Sequence, residues 1–403
     1  MIRPEAAAGR KDAPTQAWID EVRHRFPIEP EMDRVYTRKL QNRGMPFAWP
    51  TLDEIQKGLL ALLQDRLDSQ PHEVSGLKWL SGGASKLQVY FDLDWTPPGG
   101  HPERTPMVLR MDPAASIQET SRRREFELLT TFQGVVPVPR AYWLDADAVH
   151  LPYPAMVSGF VHGVAQPTSG ENRVSGLGAA FTPELRAVLA RQFIDHLAAI
   201  HRHDVDDPAL QSFQRPADPK DVILGHITAW ERVWEEDTDL DNPLVRLAFA
   251  WLRDNVPDVD RLSVVHGDYR SGNFLFDESS GRITGWLDWE LSHLGDRHSD
   301  LAWCIQPLFG HQDESGRSFL ASGLLPTDEL LARYEDASGL SVDPVRLDWY
   351  RVLICYSMMV KTVASTYRIA RLGRSHQDVL LARLEGSRSV IELELVNQLQ
   401  RVM

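Results

Sequence analysis

Apolar residues recur at helical spacing in the first part of the chain. Two such runs lie at residues 18–26 and 55–67, with apolar side chains at intervals of mostly three or four positions. This periodicity predicts amphipathic helices, and the Gly and Pro residues at 44–50 separate the two runs. We therefore expect residues 1–74 to form a helical extension.

The pattern then changes to short β-type stretches. Residues 88–93 and 107–111 predict two strands, and the Pro- and Gly-rich link between them indicates a hairpin. A charged helix is expected at 119–132, an extended segment with two prolines follows it, and strands resume within 141–161. Residues 75–163 therefore form a β-rich smaller half.

The larger half of the chain, residues 164–403, is mostly helical. One amphipathic helix covers 193–201, a short β-rich island interrupts at 263–288, and helices resume from about residue 298. A β-rich smaller half followed by a helical larger half predicts an α+β fold of two lobes, with a cleft between them.

Composition excludes several classes of protein. The 403 residues are 43% hydrophobic and 25% charged, which is typical of a folded globular chain. The formal charge of −14 argues against a nucleic-acid partner, because phosphate backbones need clustered Lys and Arg. No run of about 18 apolar residues is present, so we expect no membrane partner. The start of the chain lacks a signal-peptide pattern and only two cysteines occur, so a cytoplasmic location is expected.

The stretch from Val264 to Asp277 is the richest in chemistry. It contains His266-Gly267-Asp268, with Asn273 five residues after the Asp, and Asp288 follows a short predicted hairpin. Phosphoryl transfer from ATP needs a carboxylate that orients the attacking hydroxyl and accepts its proton. It also needs oxygen ligands that hold Mg²⁺ against the phosphates. Asp268, Asn273 and Asp288 have the residue types and the spacing for these tasks.

These motifs resemble the aminoglycoside phosphotransferase and choline kinase superfamily, whose signature is His-Gly-Asp-x4-Asn followed by an Asp in a hydrophobic setting. Residues 287–290 and 295–303 look closest to one branch of it. That branch includes the kinase-like domain fused to some acyl-CoA dehydrogenases and its free-standing bacterial relatives. The resemblance covers roughly residues 75–403. It implies a two-lobed, protein-kinase-like fold and an ATP-dependent, Mg²⁺-requiring small-molecule kinase.

The resemblance also implies a role for each motif residue. Asp268 would be the catalytic base, and Asn273 and Asp288 would be the Mg²⁺ ligands. His266 would brace the catalytic loop without reacting. Asp300 would tie that loop down by hydrogen bonds. The residues expected to support the site in these ways are His266, Asp300 and also Asp296, which either shares the task of Asp300 or caps the following helix.

The smaller half would then be the N-lobe, residues 75–163, which binds the nucleotide. Its glycines would let backbone N–H groups approach phosphates. Arg110 would grip phosphate oxygens, oriented by Glu125 from the helix. The expected nucleotide contacts are Gly82, Gly83, Ser85 and Lys86 in the glycine loop, Arg110 and Glu125, and the hinge residues Gly159, Phe160 and Val161.

Two positions depart from the family pattern. Lys86 stands where the family usually has Asn, so it either adds a phosphate contact or indicates a different loop position. Arg297 stands where Pro usually follows Gly-Asp, which would loosen the loop without removing a ligand.

The C-lobe, residues 164–403, would hold the catalytic loop, the metal site and a helical acceptor-binding region. Residues 325–403 carry ten Lys or Arg and ten Asp or Glu, so this region is not acidic. Lys361, Arg368 and Arg371 fall on roughly one helical stripe, although a solvated mixed-charge face explains them equally well. We expect a small hydroxylated acceptor that is neutral or anionic, with a hydroxyacyl-CoA as the example that the resembled branch implies.

Other interpretations stay open on sequence alone. An antibiotic phosphotransferase for aminoglycosides or macrolides, or a pseudokinase that binds nucleotide without turnover, would share the same motifs. A metal-dependent phosphohydrolase would use His203 and Asp204, with His201, His266 and Asp300 completing the metal set. ATP and GTP are not distinguished as donors, and the N-terminal extension allows a homodimer.

Overall fold

The computed structural model describes residues 9–403, apart from positions 44–48, 69, 81–85, 115, 169–178 and 374–377. For residues 378–384 it describes the backbone alone. No helix within these ranges is both long and apolar enough to cross a membrane.

The N-terminal extension consists of helices. They are α1 (Gln16–Arg25), α2 (Pro30–Gln41) and α3 (Leu52–Arg66). A capping box starts α3, because the Thr51 side chain accepts from the Glu54 N–H while the Glu54 side chain accepts from the Thr51 N–H. The periodic apolar residues of α1 and α3 are buried, as their spacing predicts.

An antiparallel sheet forms the smaller lobe, and its described strands lie in the order β1-β2-β3-β5-β4. The strands are β1 (Glu73–Trp79), β2 (Leu87–Trp95), β3 (Glu103–Met111), β4 (Ala141–Asp145) and β5 (Ala155–Gly159), and helix α4 (Arg122–Thr131) lies between β3 and β4 in the chain. Alternate residues of β2 are buried, and these pack against α3 in one hydrophobic cluster. On β3, Leu109 and Met111 face this cluster, so Arg110 projects from the opposite face of the sheet.

The larger lobe is built from helices with short strands between them. Its helices are α5 (Pro183–Arg202), α6 (Pro219–Asp237), α7 (Pro243–Asp254), α8 (His298–Cys304), α9 (Thr327–Ser338), α10 (Pro344–Met359), α11 (Thr366–Leu372) and α12 (Asp378–Val402), with a π-helical segment at Val360–Ser365. Its strands are β6 (Ser263–Val265), β7 (Phe274–Phe276), β8 (Ile283–Trp286), β9 (His293–Gly295), β10 (His311–Gln312), β11 (Phe319–Ala321) and β12 (Leu325–Pro326). The pairs β6–β9 and β7–β8 frame the motif stretch. The expected α+β organisation is therefore present.

The extension divides between the two lobes. Helix α3 belongs to the core of the small-lobe sheet, whereas α2 packs on the larger lobe. Buried ion pairs hold α2 in place: Lys39 Nζ lies 2.6 Å from Glu236 and 3.3 Å from Asp237 at the end of α6. Arg43 pairs with the same Asp237. Burial acts to raise the pKa of Asp237, but Arg368, Lys39 and Arg43 outweigh it and hold this pKa well below its ordinary value.

Candidate active site

The catalytic loop follows strand β6 and is anchored by one buried carboxylate. Asp300, in the first turn of α8, accepts hydrogen bonds from the backbone N–H groups of His266 at 2.7 Å and Gly267 at 2.8 Å. Its third contact is with His201 Nε2 at 3.1 Å. Gly267 has a φ of +81°, and a Cβ there would lie 2.4 Å from the carbonyl oxygen of Leu291, so only glycine fits. The expected tie between Asp300 and this loop is thus visible as two hydrogen bonds.

Asp268 lies at the mouth of the cleft with one carboxylate oxygen held in place. Trp303 Nε1 donates to its Oδ1 at 2.8 Å, and Arg270 Nε donates to the same atom at 2.9 Å. Neither bond involves Oδ2. The side chain keeps 13% of its surface exposed, so a small molecule can reach it. This arrangement presents one oriented carboxylate oxygen to the cleft, as a general base requires.

His266 is fully buried behind Asp268. Its ring packs against Trp289 with 4.6 Å between centroids, and its Nδ1 accepts from the Asp268 N–H at 3.3 Å. Burial lowers the pKa of His266, against the opposing effect of Asp300, so the ring is neutral at neutral pH. A buried neutral imidazole that packs and accepts from the backbone supports the loop, in the manner expected from the sequence.

Asn273 and Asp288 are brought together by the β7–β8 hairpin. The Leu287 N–H donates to the Asn273 carbonyl at 2.7 Å, which sets the two predicted metal ligands side by side. Asn273 Nδ2 donates to the Asp268 carbonyl at 2.8 Å, so the amide oxygen is the end of the side chain that can bind a cation. Asp288 adopts left-handed backbone angles, φ 66° and ψ 47°, which turn its side chain out of the hairpin.

Arg110 joins the small lobe to this hairpin. Its guanidinium lies 3.3 Å from Glu125, 2.5 Å from Asp288 and 2.7 Å from Glu290. Burial acts to lower the pKa of Arg110, but the carboxylates of Glu125, Asp288 and Glu290 outweigh it and raise this pKa well above its ordinary value. The expected contact between Arg110 and Glu125 is present, and Asp288 and Glu290 extend it into a network.

Lys86 belongs to the same network and is buried. Its ammonium lies 3.1 Å from Asp112, 3.3 Å from Ser116 Oγ and 3.8 Å from Glu290. Arg122 joins the network through Asp112, 3.0 Å away, and through Glu290 at 3.4 Å. The sequence predicts a direct phosphate contact for Lys86. In the structure the Lys86 ammonium has carboxylate and hydroxyl partners instead.

The charge around Asp288 is suited to a divalent cation. Burial raises the pKa of Asp288, the neighbouring Glu290 and Asp268 raise it further, and Arg110 opposes them. A bound Mg²⁺ would relieve this repulsion, and the Asn273 amide oxygen and the Asp288 carboxylate are the hard oxygen ligands that this ion prefers. Within the described ranges, no group of three or more His, Cys, Asp or Glu has a metal-binding arrangement. Two protein oxygens are nevertheless the usual number where nucleotide phosphates complete the shell.

The other predicted nucleotide contacts are only partly described. Gly82, Gly83 and Ser85 lie outside the described residues. At the hinge, the Gly159 N–H donates to the Arg140 carbonyl and the Phe160 N–H donates to the Pro106 carbonyl, so both groups already serve the sheet. Val161 lies two residues after the end of β5, and its side chain is next to Gly285 of β8. Adenine recognition by this hinge therefore stays a prediction.

Asp296 lies next to the catalytic loop without bonding to it. It accepts from the His298 N–H at 3.0 Å and contacts the His298 ring nitrogen Nδ1 at 2.6 Å, so it holds the first turn of α8. Arg297 is the N-cap residue of α8, so Asp296 acts from one position before the cap. Arg297, which replaces the family Pro, is buried and donates to Asp260 at 2.8 Å and to the Ser341 carbonyl at 2.6 Å. These bonds fix the segment in a different way from a proline ring.

The side of the cleft opposite Arg110 contains a lysine between two indole rings. Lys361 Nζ lies 5.0 Å from the Trp230 ring centre and 5.2 Å from the Trp303 ring centre. Burial lowers the pKa of Lys361 to about 8, although the carboxylates of Asp268 and Glu290 act to raise it. Lys361 therefore lies within electrostatic reach of the predicted base.

Arg368 and Arg371, which the sequence places on one stripe with Lys361, have carboxylate partners of their own. Arg368 is buried and lies 3.4 Å from Asp237 and 3.5 Å from Glu119. Arg371 pairs with Asp12 at 2.7 Å. Lys361 contacts Trp230, Arg368 contacts Asp237 and Arg371 lies 4.0 Å from Asp239, so the three side chains follow the end of α6 and the residues just after it.

Several residues of the site could not be assigned from the sequence. They are Asp112, Arg122, Arg270, Glu290 and Trp303. Arg270, Glu290 and Trp303 carried a signal, because they stand within the motif runs. Asp112 and Arg122 are recognisable only once the chain is folded.

The histidines of the phosphohydrolase alternative have other partners. His201 lies between Tyr334 Oη at 2.8 Å and Asp300, deep in the larger lobe. His203 Nε2 contacts Asp207 at 3.0 Å, and Asp204 is exposed. The structure does not assemble these side chains into one cluster.

A two-lobed α+β fold with an Asp-bearing loop and a neighbouring Asn and Asp defines a kinase-like phosphotransferase. Residues 77–350, more than half of the chain, match the model of the Phosphotransferase enzyme family. The chain belongs to this family, and it is a phosphotransferase enzyme of the kinase type. The resemblance drawn from the motifs is thereby confirmed.

Curated relatives at moderate identity are long proteins. Probable acyl-CoA dehydrogenase IBR3 of Arabidopsis thaliana is 29% identical over 252 residues, which cover 58% of this chain and 29% of that protein. Acyl-CoA dehydrogenase family member 11 of Homo sapiens is 23% identical over 284 residues, 67% of this chain and 34% of that protein. This chain thus spans only about a third of the length of the curated relatives it matches.

Solved structures share the fold at low identity. A crystal structure from Ralstonia eutropha, assigned to the aminoglycoside phosphotransferases, has a TM-score of 0.60 and 21% identity, covering 86% of this chain and 98% of that one. A thermostable mutant of aminoglycoside phosphotransferase APH(4)-Ia, in ternary complex with ADP and hygromycin B, has a TM-score of 0.50 and 20% identity, covering 83% and 97%. These likenesses confirm the predicted two-lobed fold.

Proposed function

We propose that the chain transfers the γ-phosphate of ATP to a hydroxyl group of a small molecule, with Asp268 as the base. The observation that carries the proposal is the convergence of Asp268, Asn273 and Asp288 at the end of one cleft, opposite the Arg110 guanidinium. Family membership supports the reaction class. A neighbour of the same fold binds ADP together with hygromycin B, which makes an adenine nucleotide the first donor to test.

Each residue has a task that follows from its contacts. Trp303 and Arg270 hold Oδ1 of Asp268, so Oδ2 is positioned to orient the acceptor hydroxyl and to take its proton. Arg110, held by Glu125, would contact phosphate oxygens and keep the donor in line with the hydroxyl.

Asn273 and Asp288 would hold Mg²⁺. When bound, this ion would neutralise charge on the phosphates and so ease the departure of the leaving group. The residues at 110, 268, 273 and 288 would thus serve phosphate binding, metal binding and proton removal.

The acceptor side favours a neutral or anionic hydroxylated metabolite, with a hydroxyacyl-CoA thioester as the compound to test. Lys361 places a positive charge beside Asp268, where a polycationic aminoglycoside would be repelled. The motifs resemble kinase-like domains that are fused to acyl-CoA dehydrogenases, and the curated relatives are acyl-CoA dehydrogenases. Both observations favour an acyl-CoA compound as the acceptor.

An ADP-release assay over a panel of hydroxylated metabolites tests this function. The panel should contain hydroxyacyl-CoA thioesters, kanamycin, a macrolide and a choline-like amino alcohol, each with Mg²⁺ and either ATP or GTP. We expect acceptor-dependent ADP release with at least one uncharged or anionic compound. Nucleotide binding without acceptor-dependent release across the panel would instead favour a pseudokinase. Release with kanamycin or the macrolide alone would favour antibiotic phosphorylation.

A further inference from the structure

A cavity of about 270 Å³ lies between the N-terminal extension and the larger lobe. Ile28, Met32 and Tyr36 form one wall, in and just before α2. Trp230 of α6 and Leu294 of β9 contribute to the opposite side. The extension, which the kinase-like fold does not require, therefore encloses a space in the larger lobe.

This cavity borders the predicted base through a chain of contacts. Trp230 lines it, and the Lys361 ammonium lies over the Trp230 ring. The same ammonium lies over Trp303, whose Nε1 donates to Asp268. Glu290, which also lines the cavity, is bonded to Arg110 on the donor side. The Lys361 side chain therefore lies between the cavity wall and the tryptophan that holds Asp268.

The cavity wall offers little free negative charge. Of the carboxylates that line it, Asp221 is exposed, and the other three form ion pairs. These pairs are Glu29 with Arg124 at 2.5 Å, Glu119 with Arg368 at 3.5 Å and Glu290 with Arg110 at 2.7 Å. Burial lowers the pKa of His226 and of His293, so both lining rings are neutral. Such a wall favours hydrocarbon and uncharged polar groups, since burying apolar surface is favourable and a buried cation would find no free partner.

Helix α2 is held firmly enough to act as a wall. Asp33 on its outer side lies 2.7 Å from the buried Arg232 of α6, and Lys39 forms the ion pairs with Glu236 and Asp237 described above. Breaking such buried pairs is costly. The shape of the cavity is therefore set by the extension and α6 together.

We propose that the N-terminal extension is part of the acceptor site and selects the acceptor. The uncharged, mainly hydrocarbon part of the acceptor lies in this cavity, against Met32, Tyr36 and Trp230, while its hydroxyl lies at Asp268. The inference rests on the proposed kinase function for the identity of the reaction, but occupancy of the cavity can be measured without turnover.

Thiol protection tests occupancy directly. Cys304 and Cys355 are both buried, so a cysteine placed by Met32→Cys will be the fast-reacting thiol of the described chain. The matched control is Leu60→Cys, at an exposed position of α3 in the same extension. Labelling by a small maleimide is followed with and without a hydroxyacyl-CoA thioester. At ten times its Kd the thioester should slow labelling of Met32→Cys about tenfold by mass action, and leave Leu60→Cys unchanged.

Filling the cavity gives a second readout. Met32→Trp should raise the KM for the thioester while the KM for ATP stays unchanged, and Leu60→Trp should change neither. Phosphorylation of the thioester by the wild type, with no protection of Met32→Cys and no change of KM in Met32→Trp, would overturn the inference and leave the kinase function intact. Protection without any phosphorylation would support the cavity as a binding site and contradict the kinase function. Absence of both would contradict the inference together with the hydroxyacyl-CoA thioester as the acceptor.

Discussion

The two sides of the cleft hold their positive charges in different ways. On the donor side, the Arg110 guanidinium contacts three carboxylates, and Lys86 pairs with Asp112. On the acceptor side, Lys361 rests on two indole rings and forms no ion pair with a carboxylate among the described residues. A cation fixed by several carboxylates keeps one geometry, whereas a cation held only by ring faces retains the capacity to bind an anion.

This difference fits the two tasks of a phosphotransferase. The donor phosphates must be held in line with the attacking hydroxyl, and small displacements cost rate. The acceptor side must instead distinguish one hydroxylated molecule from another, which depends on wall shape and on unpaired charge. We therefore expect changes on the donor side to reduce turnover with every acceptor, and changes on the acceptor side to alter the choice among acceptors.

Asp268 lies between the two sides, and its replacement should have the largest effect. Asp268→Asn removes the proton acceptor but keeps the size of the side chain, so turnover should fall by about 10²–10⁴. Binding of Mg²⁺ATP, measured by thermal shift, should persist because the nucleotide is held elsewhere. The control Asp204→Asn changes an exposed carboxylate and should keep full turnover. If Asp268→Asn turns over like the wild type, Asp268 is not the base. If Asp204→Asn is inactive, the phosphohydrolase reading regains support.

The next largest effect concerns the metal. Asp288→Ala should abolish the rise in Tm that Mg²⁺ATP produces, because the ion loses its only predicted carboxylate ligand. The protein without metal should stay folded, since Arg110 keeps Glu125 and Glu290 as partners. Asp94→Ala, which removes a surface partner of Arg104, is the matched control. An equal rise in Tm for Asp288→Ala and the wild type would remove Asp288 from the metal site.

Replacement of Arg110 should have an intermediate effect on turnover. Arg110→Ala should raise the KM for ATP and lower kcat, because the phosphates lose a grip and the three carboxylates lose their shared cation. Arg110→Lys should rescue only in part, since an ammonium cannot reproduce the planar fork of the guanidinium. Arg104→Ala, on the same strand but exposed, should leave the kinetics unchanged. Wild-type kinetics in Arg110→Ala would instead assign the phosphate contact to Lys86.

Replacement of Lys361 should have the smallest effect on the kinetics, and this effect should depend most on the choice of acceptor. Lys361→Met should raise the KM for an anionic acceptor about tenfold, which corresponds to about 1.4 kcal/mol, with little change for a neutral acceptor or for ATP. Lys57→Met, at an exposed position of α3, is the control. An equal loss with neutral and anionic acceptors would mean that Lys361 acts on packing alone.

The pH dependence of kcat/KM tests the same role of the Lys361 charge. The pKa of Lys361 is about 8, and the charged groups that face it are Asp268 and Glu290. Because the ammonium is the form present below this pKa, kcat/KM for an anionic acceptor should fall as the pH rises through about 8. That fall should be absent in Lys361→Met, and its persistence there would assign the titration to another group.

The candidate base and metal ligands could be picked out from the sequence because their spacing is local. Asp268, Asn273 and Asp288 lie within 21 positions, on a loop and a hairpin whose short apolar strands fix their relation. The partners Asp112 and Arg122 were not predictable, because an ion pair between distant segments leaves no spacing in the chain.

The acceptor side was harder to predict for the same physical reason. Helix α2 escaped notice because its buried face includes a lysine, Lys39, whose burial depends on Glu236 and Asp237 far along the chain. The charged stripe at 361–371 could not be divided into paired and unpaired cations, because the carboxylate partners of Arg368 and Arg371 lie far along the chain. Periodicity arguments assume a polar exterior, and this assumption breaks down where the two lobes and the extension meet.

In the proposed reaction, the chain transfers the γ-phosphate of ATP to an uncharged or anionic hydroxylated metabolite, with Asp268 as the base. Its most direct test combines the chain, Mg²⁺ and ATP labelled in the γ-phosphate with either a hydroxyacyl-CoA thioester or kanamycin, and follows the label by mass spectrometry and ADP release. We expect the wild type to form phosphorylated thioester and ADP in equal amounts. The rate of formation of both products should be about 10²–10⁴ times lower for Asp268→Asn. Label in kanamycin with none in the thioester, or equal product from both proteins, would contradict it.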